Sequence, residues 1–77
     1  MERKLIINRK YKHFKGKEYL VLGEALHTET NETLVIYRAL YGNCNLYVRP
    51  KEMFISKVDK EKYPDVKQEY KFELIED

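Results

Sequence analysis

The sequence predicts an all-β fold, a small antiparallel barrel of about five strands with one short helical turn near Pro50 to Phe54. Three observations carry this. β-prone apolar runs recur at roughly 8–12-residue spacing. Turn-forming residues separate them, which suits hairpins better than the long crossovers of a parallel sheet. A glycine also interrupts the longest run, as happens where a small barrel bends a strand around a corner.

The first clear strand is Glu18 to Leu26, with Tyr19, Leu20, Val21 and Leu22 as its β-prone centre and Gly23 as the candidate bulge. His27 to Thr33 follows as a polar loop in which Asn31 suits a left-handed turn position. Leu34 to Tyr41 reads as a central strand, because Leu34, Ile36 and Leu40 make one face apolar and Val35, Tyr37, Ala39 and Tyr41 the other. Gly42-Asn43 signals a turn, and Leu46 to Arg49 returns as a shorter strand. Pro50 ends it and opens the helical turn. Pairing is expected to resume within Phe54 to Val58, followed by a polar connector from Asp59 to Pro64. Gln68 to Ile75 alternates through Tyr70, Phe72 and Leu74 in the period of a half-buried strand. Leu5 to Asn8 adds a candidate edge strand, which completes a twisted, SH3-like barrel. Tyr19, Val21, Ile36 and Val48 are expected in its interior, with Met53 and Phe54 plugging one end.

A chain of 77 residues is one domain at most. Its core must come from nearly every large apolar side chain, since so short a chain buries only about 60% of the surface it exposes when unfolded. Seven Tyr and three Phe with no Trp answer that need, so packing is the first reading of the tyrosines. Cys44 is the only cysteine, which excludes an internal disulfide and suits a reducing, cytoplasmic setting. His13 and His27 lack the further ligands of a metal cluster, so neither metal nor cofactor is expected. The apolar run Leu5 to Ile7 is too short for a signal-peptide core, and no stretch suits a membrane. Charge is unevenly placed. Met1 to Lys17 carries seven basic residues against Glu2, so this end holds +6 of a net +2 and the remainder −4.

Four blocks, Tyr11-x-His13-Phe14-Lys15-Gly16-x-x-Tyr19-x-Val21-Leu22-Gly23, His27-Thr28-Glu29-Thr30, Val35-x-Tyr37-Arg38-Ala39-Leu40-Tyr41-Gly42 and Val48-Arg49-Pro50-x-x-Met53-Phe54, stand in one order along the chain. In that order they resemble the bacterial family known as domain of unknown function number 1653, over Lys10 to Val58. Asn31 stands where the family pattern often has Gly, and Tyr47 where it often has Trp. The resemblance marks a family-like core at 10–58 and carries nothing over to the basic N-terminal arm at 1–9 or to the connector and strand at 59–77, which are read from the residues alone. It implies no activity.

The candidate ligand-binding set is His13, Lys15, His27, Glu29, Tyr37, Arg38 and Arg49. Cations beside aromatic rings hold anionic or planar ligands by charge-assisted hydrogen bonds and stacking, provided the loops bring them together. Each has a plainer reading: the histidines cap loops or pack beside a Tyr, and Arg49 pairs with Glu52 or Glu24. The function expected is a non-catalytic binding module for a polar or anionic ligand such as a nucleotide or nucleic acid. The alternative is a protein-interaction or self-association module using a sheet edge or aromatic groove. An enzyme ranks last, because no nucleophile elbow, phosphate-cradling glycine loop, metal cluster or carboxylate pair is legible, and no catalytic residue is named.

Overall fold

The computed structural model describes residues 4–76. Five antiparallel strands form one sheet: β1 (Lys10–His13), β2 (Glu18–Leu26), β3 (Thr33–Ala39), β4 (Leu46–Pro50) and β5 (Phe72–Leu74). The single short helix α1 (Lys51–Phe54) follows β4 directly. Strand order is β4-β3-β2-β1-β5, a meander whose last strand returns to lie beside the first. The all-β expectation holds in strand number, antiparallel sense and the position of the helical turn.

The barrel expected from the sequence is not closed. No ladder joins β4 to β5, so the curled sheet keeps two edges. The gap is bridged from within by α1 and by the segment after it. Lys57 forms an isolated bridge with Tyr70, the Val58 N–H donates to the Glu69 carbonyl at 2.9 Å, and the Lys71 N–H to Ser56 at 3.0 Å. Pairing thus resumes after α1 as expected, but too briefly to seal the sheet.

Bending comes from β2. Its pairing with β3 shifts register between Val21 and Gly23, the bulge that the glycine foretold. Asn31 takes a φ of 59° in the β2–β3 turn, and the Asn31 N–H closes that turn on the His27 carbonyl at 2.9 Å. In the β1–β2 hairpin, Gly16 has a φ of 103°, and the flanking His13 N–H donates to the Lys17 carbonyl at 2.8 Å.

Three expectations need correcting. Leu5 to Asn8 forms no strand: Leu5 packs against the core, the Ile6 N–H donates to the Tyr11 hydroxyl at 3.0 Å, and Asn8 turns left-handed at a φ of 64°. The true first strand, β1, has only Tyr11 and His13 facing inward, too brief an alternation to stand out in the sequence. Val48 is 61% exposed because it points to the outer face of an edge strand, and its cross-strand partner Ile36 lies on that same outer face, only half-buried; Val21 is buried and Tyr19 half-buried as their positions suggested. Met53 is 49% exposed, leaving Phe54 alone as the plug.

The core is aromatic. Phe54 and Phe72 stack face to face with centroids 4.0 Å apart, and Tyr11 and Tyr37 meet Phe54 edge-on at 5.8 and 5.3 Å. Val21 and Val35 fill the remaining interior. Among the described residues no buried side-chain polar atom lacks a partner. Ring burial is therefore gained without stranding a phenol.

Pro50 fits β4 for a reason of register. The Ala39 N–H donates to the Asn45 carbonyl, so alternation along the ladder puts Tyr47 and Arg49 in the hydrogen-bonded positions with β3 and turns the backbone of Leu46, Val48 and Pro50 outward. The missing donor of Pro50 falls where no neighbour needs it.

Replacing Phe72 by Ala removes one half of the central stack and is expected to cost about 3–5 kcal/mol, a large share of the roughly 4–11 kcal/mol available to a domain of this size. Asn31→Gly should leave stability unchanged or raise it slightly, whereas Asn31→Val should lose about 1–2 kcal/mol because a β-branched side chain resists the left-handed region. Urea unfolding followed by circular dichroism checks all three, and an unaffected midpoint for Phe72→Ala would contradict the role given to the stack.

Candidate functional site

The open seam between β4 and β5 is where charge collects. β1 ends in His13, the β1–β2 turn carries Phe14 and Lys15, and β4 contributes Arg49 on its inner face, opposite the buried Val35. With Tyr63 of the connector and Lys71 just before β5, these side chains line a depression of about 350 Å³. Asp59 and Lys62 complete its wall.

The position of each group follows from the chain around it. Gly16 tightens the hairpin so that Lys15 sits at its tip, and the Lys15 N–H donates to His13 Nδ1 at 3.1 Å. The neutral imidazole then carries its proton on Nε2. The His13 ring stacks on Phe14 at 4.5 Å and meets Phe72 edge-on at 4.8 Å. Arg49 spans the gap and lays its guanidinium 5.3 Å from the centre of the Phe72 ring. The expected ion pair with Glu24 or Glu52 does not form, because Glu24 is taken by Lys51 at 3.3 Å and Arg49 turns to the ring instead.

The connector is itself tied down. Asp59 Oδ1 accepts from the Glu61 and Lys62 backbone N–H groups at 3.0 and 3.4 Å, and Lys60 Nζ donates to the carbonyls of Val66 and Gln68. This holds Tyr63 against Phe14 at 4.9 Å, while Lys15 and Lys62 lie 5.7 and 5.5 Å from the Tyr63 ring.

Lys15, Arg49, Lys62 and Lys71 thus face one carboxylate, Asp59, which is already engaged with backbone donors. Among the described residues none of the four cations has a carboxylate partner. His13 registers the resulting field. Burial first, then the positive charges of Arg49, Lys15 and Lys71, lower its pKa from 6.5 to about 4.

Of the seven candidates, His13, Lys15 and Arg49 come together here. Tyr37 lies beneath them in the core, 5.8 Å from Phe72. Arg38 is on the outer face of β3, where its guanidinium donates to the Cys44 carbonyl at 2.9 Å. His27 and Glu29 occupy the β2–β3 turn at the far end of β2, where His27 Nδ1 accepts from the Glu29 N–H at 3.2 Å, the loop-capping role weighed for it. Lys62, Tyr63 and Lys71 were not singled out from the sequence. Only the density of lysines after Asp59 hinted at them, and a hint of composition does not say which lysines face one point.

A larger hollow of about 730 Å³ lies at the opposite end, between Thr30–Thr33 and Pro50–Glu52. Its lysine, Lys51, is bound to Glu24, and Glu32 and Glu52 also line it, so that hollow has no surplus positive charge with which to hold an anion.

The family whose sequence pattern matches residues 9–74 is described as Protein of unknown function (DUF1653). The chain belongs to DUF1653. The match runs past Val58, where the sequence resemblance ended, and takes in the connector and β5, the parts of the DUF1653 domain that supply Lys62, Tyr63, Lys71 and Phe72. No curated protein and no solved structure matches the chain. Among the described residues no helix is long and apolar enough to cross a membrane, and no cluster of His, Cys, Asp or Glu is suited to a metal ion.

The His13 environment sets a pH dependence with a defined sign. A histidine at about 4 in the fold against 6.5 as its ordinary value binds fewer protons when folded than when unfolded across that window. Its contribution is fully present above pH 6.5, declines as pH falls from 6.5 toward 4, and changes no further below that. Urea stability of the wild type minus that of His13→Gln should therefore fall on acidification through this range. A pH-independent difference would show that His13 is not held neutral by its surroundings.

Proposed function

We propose that this DUF1653 domain is a non-catalytic binding module that takes an anionic group into the depression at the β4–β5 seam. The observation that carries the reading is the convergence of Lys15, Arg49, Lys62 and Lys71 from four separate chain segments against a single lining carboxylate, Asp59, with which none of them pairs among the described residues. Cations gathered this way repel one another, and an anion is the partner that relieves the repulsion. Cation–π contacts place Lys15 beside Phe14 and Tyr63, Lys62 beside Tyr63, and Arg49 over the buried Phe72. Arg49 offers the planar fork suited to a phosphate or carboxylate, and Lys15 and Lys62 act as mobile point charges.

The self-association alternative has the open edge of β4 in its favour, with Leu46 and Val48 more than half exposed at 53% and 61%. Pro50 removes one outward donor from the ladder that such pairing would use, and this reading stands second.

Isothermal titration at low salt with pyrophosphate and with a single-stranded oligonucleotide tests the proposal. Binding should weaken as salt rises, Arg49→Ala should lose about tenfold or more in affinity, since a hydrogen bond to a charged group contributes about 1.5–3 kcal/mol, and Arg38→Ala should lose little. Affinity for the oligonucleotide should also rise as pH falls toward about 4, because a bound anion opposes the positive field that keeps His13 neutral and so raises its pKa in the complex. Salt-insensitive binding, or equal loss from Arg38→Ala and Arg49→Ala, would retire the site.

A further inference from the structure

The seam does not end at the cations. Along the same concave side runs a row of tyrosines that the anion reading leaves unused. Tyr19 stands between His13 at 6.5 Å and Tyr41 at 5.6 Å, and its hydroxyl meets that of Tyr41 at 2.9 Å. Tyr47 lies on Tyr37 at 5.8 Å with the rings inclined by 37°. Burial, the hydrogen bond to Tyr41 and the nearby phenols of Tyr37 and Tyr47 raise the Tyr19 pKa above its ordinary value, so these hydroxyls share one neighbourhood. Tyr41 and Tyr47 remain 37% and 40% exposed, and Lys17 Nζ lies 4.8 Å from the Tyr41 ring centre. A chain that must bury almost every ring it has leaves these two partly in water, Tyr41 with Lys17 over its ring and Tyr47 two residues from Arg49 on β4.

We propose that the anion held at the seam is the phosphate of a nucleotide unit whose base stacks on Tyr47. The inference rests on the anion-binding reading above and extends it to the ligand class. Arg49 and Tyr47 are two residues apart on one face of β4, about 7 Å along the strand, which leaves room for one sugar between a phosphate at the guanidinium and a base on the phenol ring. Tyr37 supports the inner side of Tyr47 and fixes the platform, while the position of β4 at the sheet edge leaves the other side open. Tyr41 with Lys17 repeats the pairing of ring and cation at the neighbouring β3–β4 turn, so a second unit of a single strand has a place to continue. Stacking platforms flanked by cations suit unpaired bases, whose faces are open, better than a duplex.

The test compares two ten-unit probes of equal charge, an oligothymidylate and an abasic deoxyribose-phosphate chain, with thymidine monophosphate as the free-nucleotide source. The chain has no Trp, so its intrinsic emission comes from tyrosine and stacking is read as quenching. The oligothymidylate should bind about tenfold or more tighter than the abasic chain, as expected for base–aromatic stacking. Tyr47→Leu, which keeps apolar cover over Tyr37, should remove that difference while leaving abasic binding and the urea midpoint in place. Quenching by the monophosphate at comparable affinity would assign the site to a free nucleotide, and tighter binding of the oligomer would assign it to a single strand; either supports the proposal. Equal affinity for the two ten-unit probes, with Arg49→Ala still weakening both, would overturn the base platform and leave the anion site standing. Binding of neither probe would remove both readings.

Discussion

The stack of Phe54 on Phe72 is the contact on which the rest of this fold depends. A sheet of five short strands curls but cannot close here, because β4 and β5 never come into hydrogen-bonding register. Something must span the open side, or the inner face of the sheet would be wet. Pro50 turns the chain off the edge of β4, one helical turn carries Phe54 inward, and its ring lies parallel to Phe72 at 4.0 Å. Two edges that share no ladder are thereby joined through side chains. This is packing in place of backbone pairing, and the brief bridge of Lys57 with Tyr70 only reinforces it.

That solution has a consequence for chemistry. A seam closed by rings and not by a ladder leaves a rim into which long side chains can reach. Arg49 uses it, crossing from β4 to rest above Phe72, and His13 meets the same ring edge-on. The floor of the depression is therefore the outer surface of the core, so the groups above it are positioned by the same contacts that stabilise the domain. A fully sealed barrel would have enclosed Arg49, which lies on the inner face of β4. Here the opening lets it reach the rim beside Lys71.

How much of this was legible depended on whether the signal was local. The bulge at Gly23, the left-handed Asn31 and the turn after Pro50 follow from steric rules that act within a few residues, and each was readable. The buried face of β3 was readable too, since Val35, Tyr37 and Ala39 alternate as a strand should. β1 was not, because four residues with two inward positions give no period to detect. The outward turn of Val48 was hidden for another reason: which face of β4 is covered depends on β4 being an edge strand, a property of the whole sheet. The site divides the same way. His13, Lys15 and Arg49 stood out as cations and a histidine near aromatics, whereas Lys62 and Lys71 join them only because the connector folds back, held by Asp59 and Lys60. His27 and Arg38 looked equally suitable in sequence and went elsewhere, one to cap its own turn, the other to tie the β3–β4 hairpin.

The distribution of acids argues that the seam is more than a by-product of folding. The chain has enough carboxylates to neutralise its lysines and uses them in other places: Glu24 on Lys51, Glu69 on Lys57, and Glu73 as an acceptor for the backbone N–H groups of Glu69 and Tyr70. Asp59 alone reaches the depression, and it faces its own turn. Four cations gather with a histidine pressed toward neutrality, first by burial and then by three of those charges, against one carboxylate. Placing a single glutamate at the seam would offset that charge by ordinary electrostatics, as the pairs elsewhere on the same small surface do. Sites that break a local rule are expected where function and not folding sets the requirement. On the proposed reading, the partner that completes the arrangement is one that carries the missing negative charge.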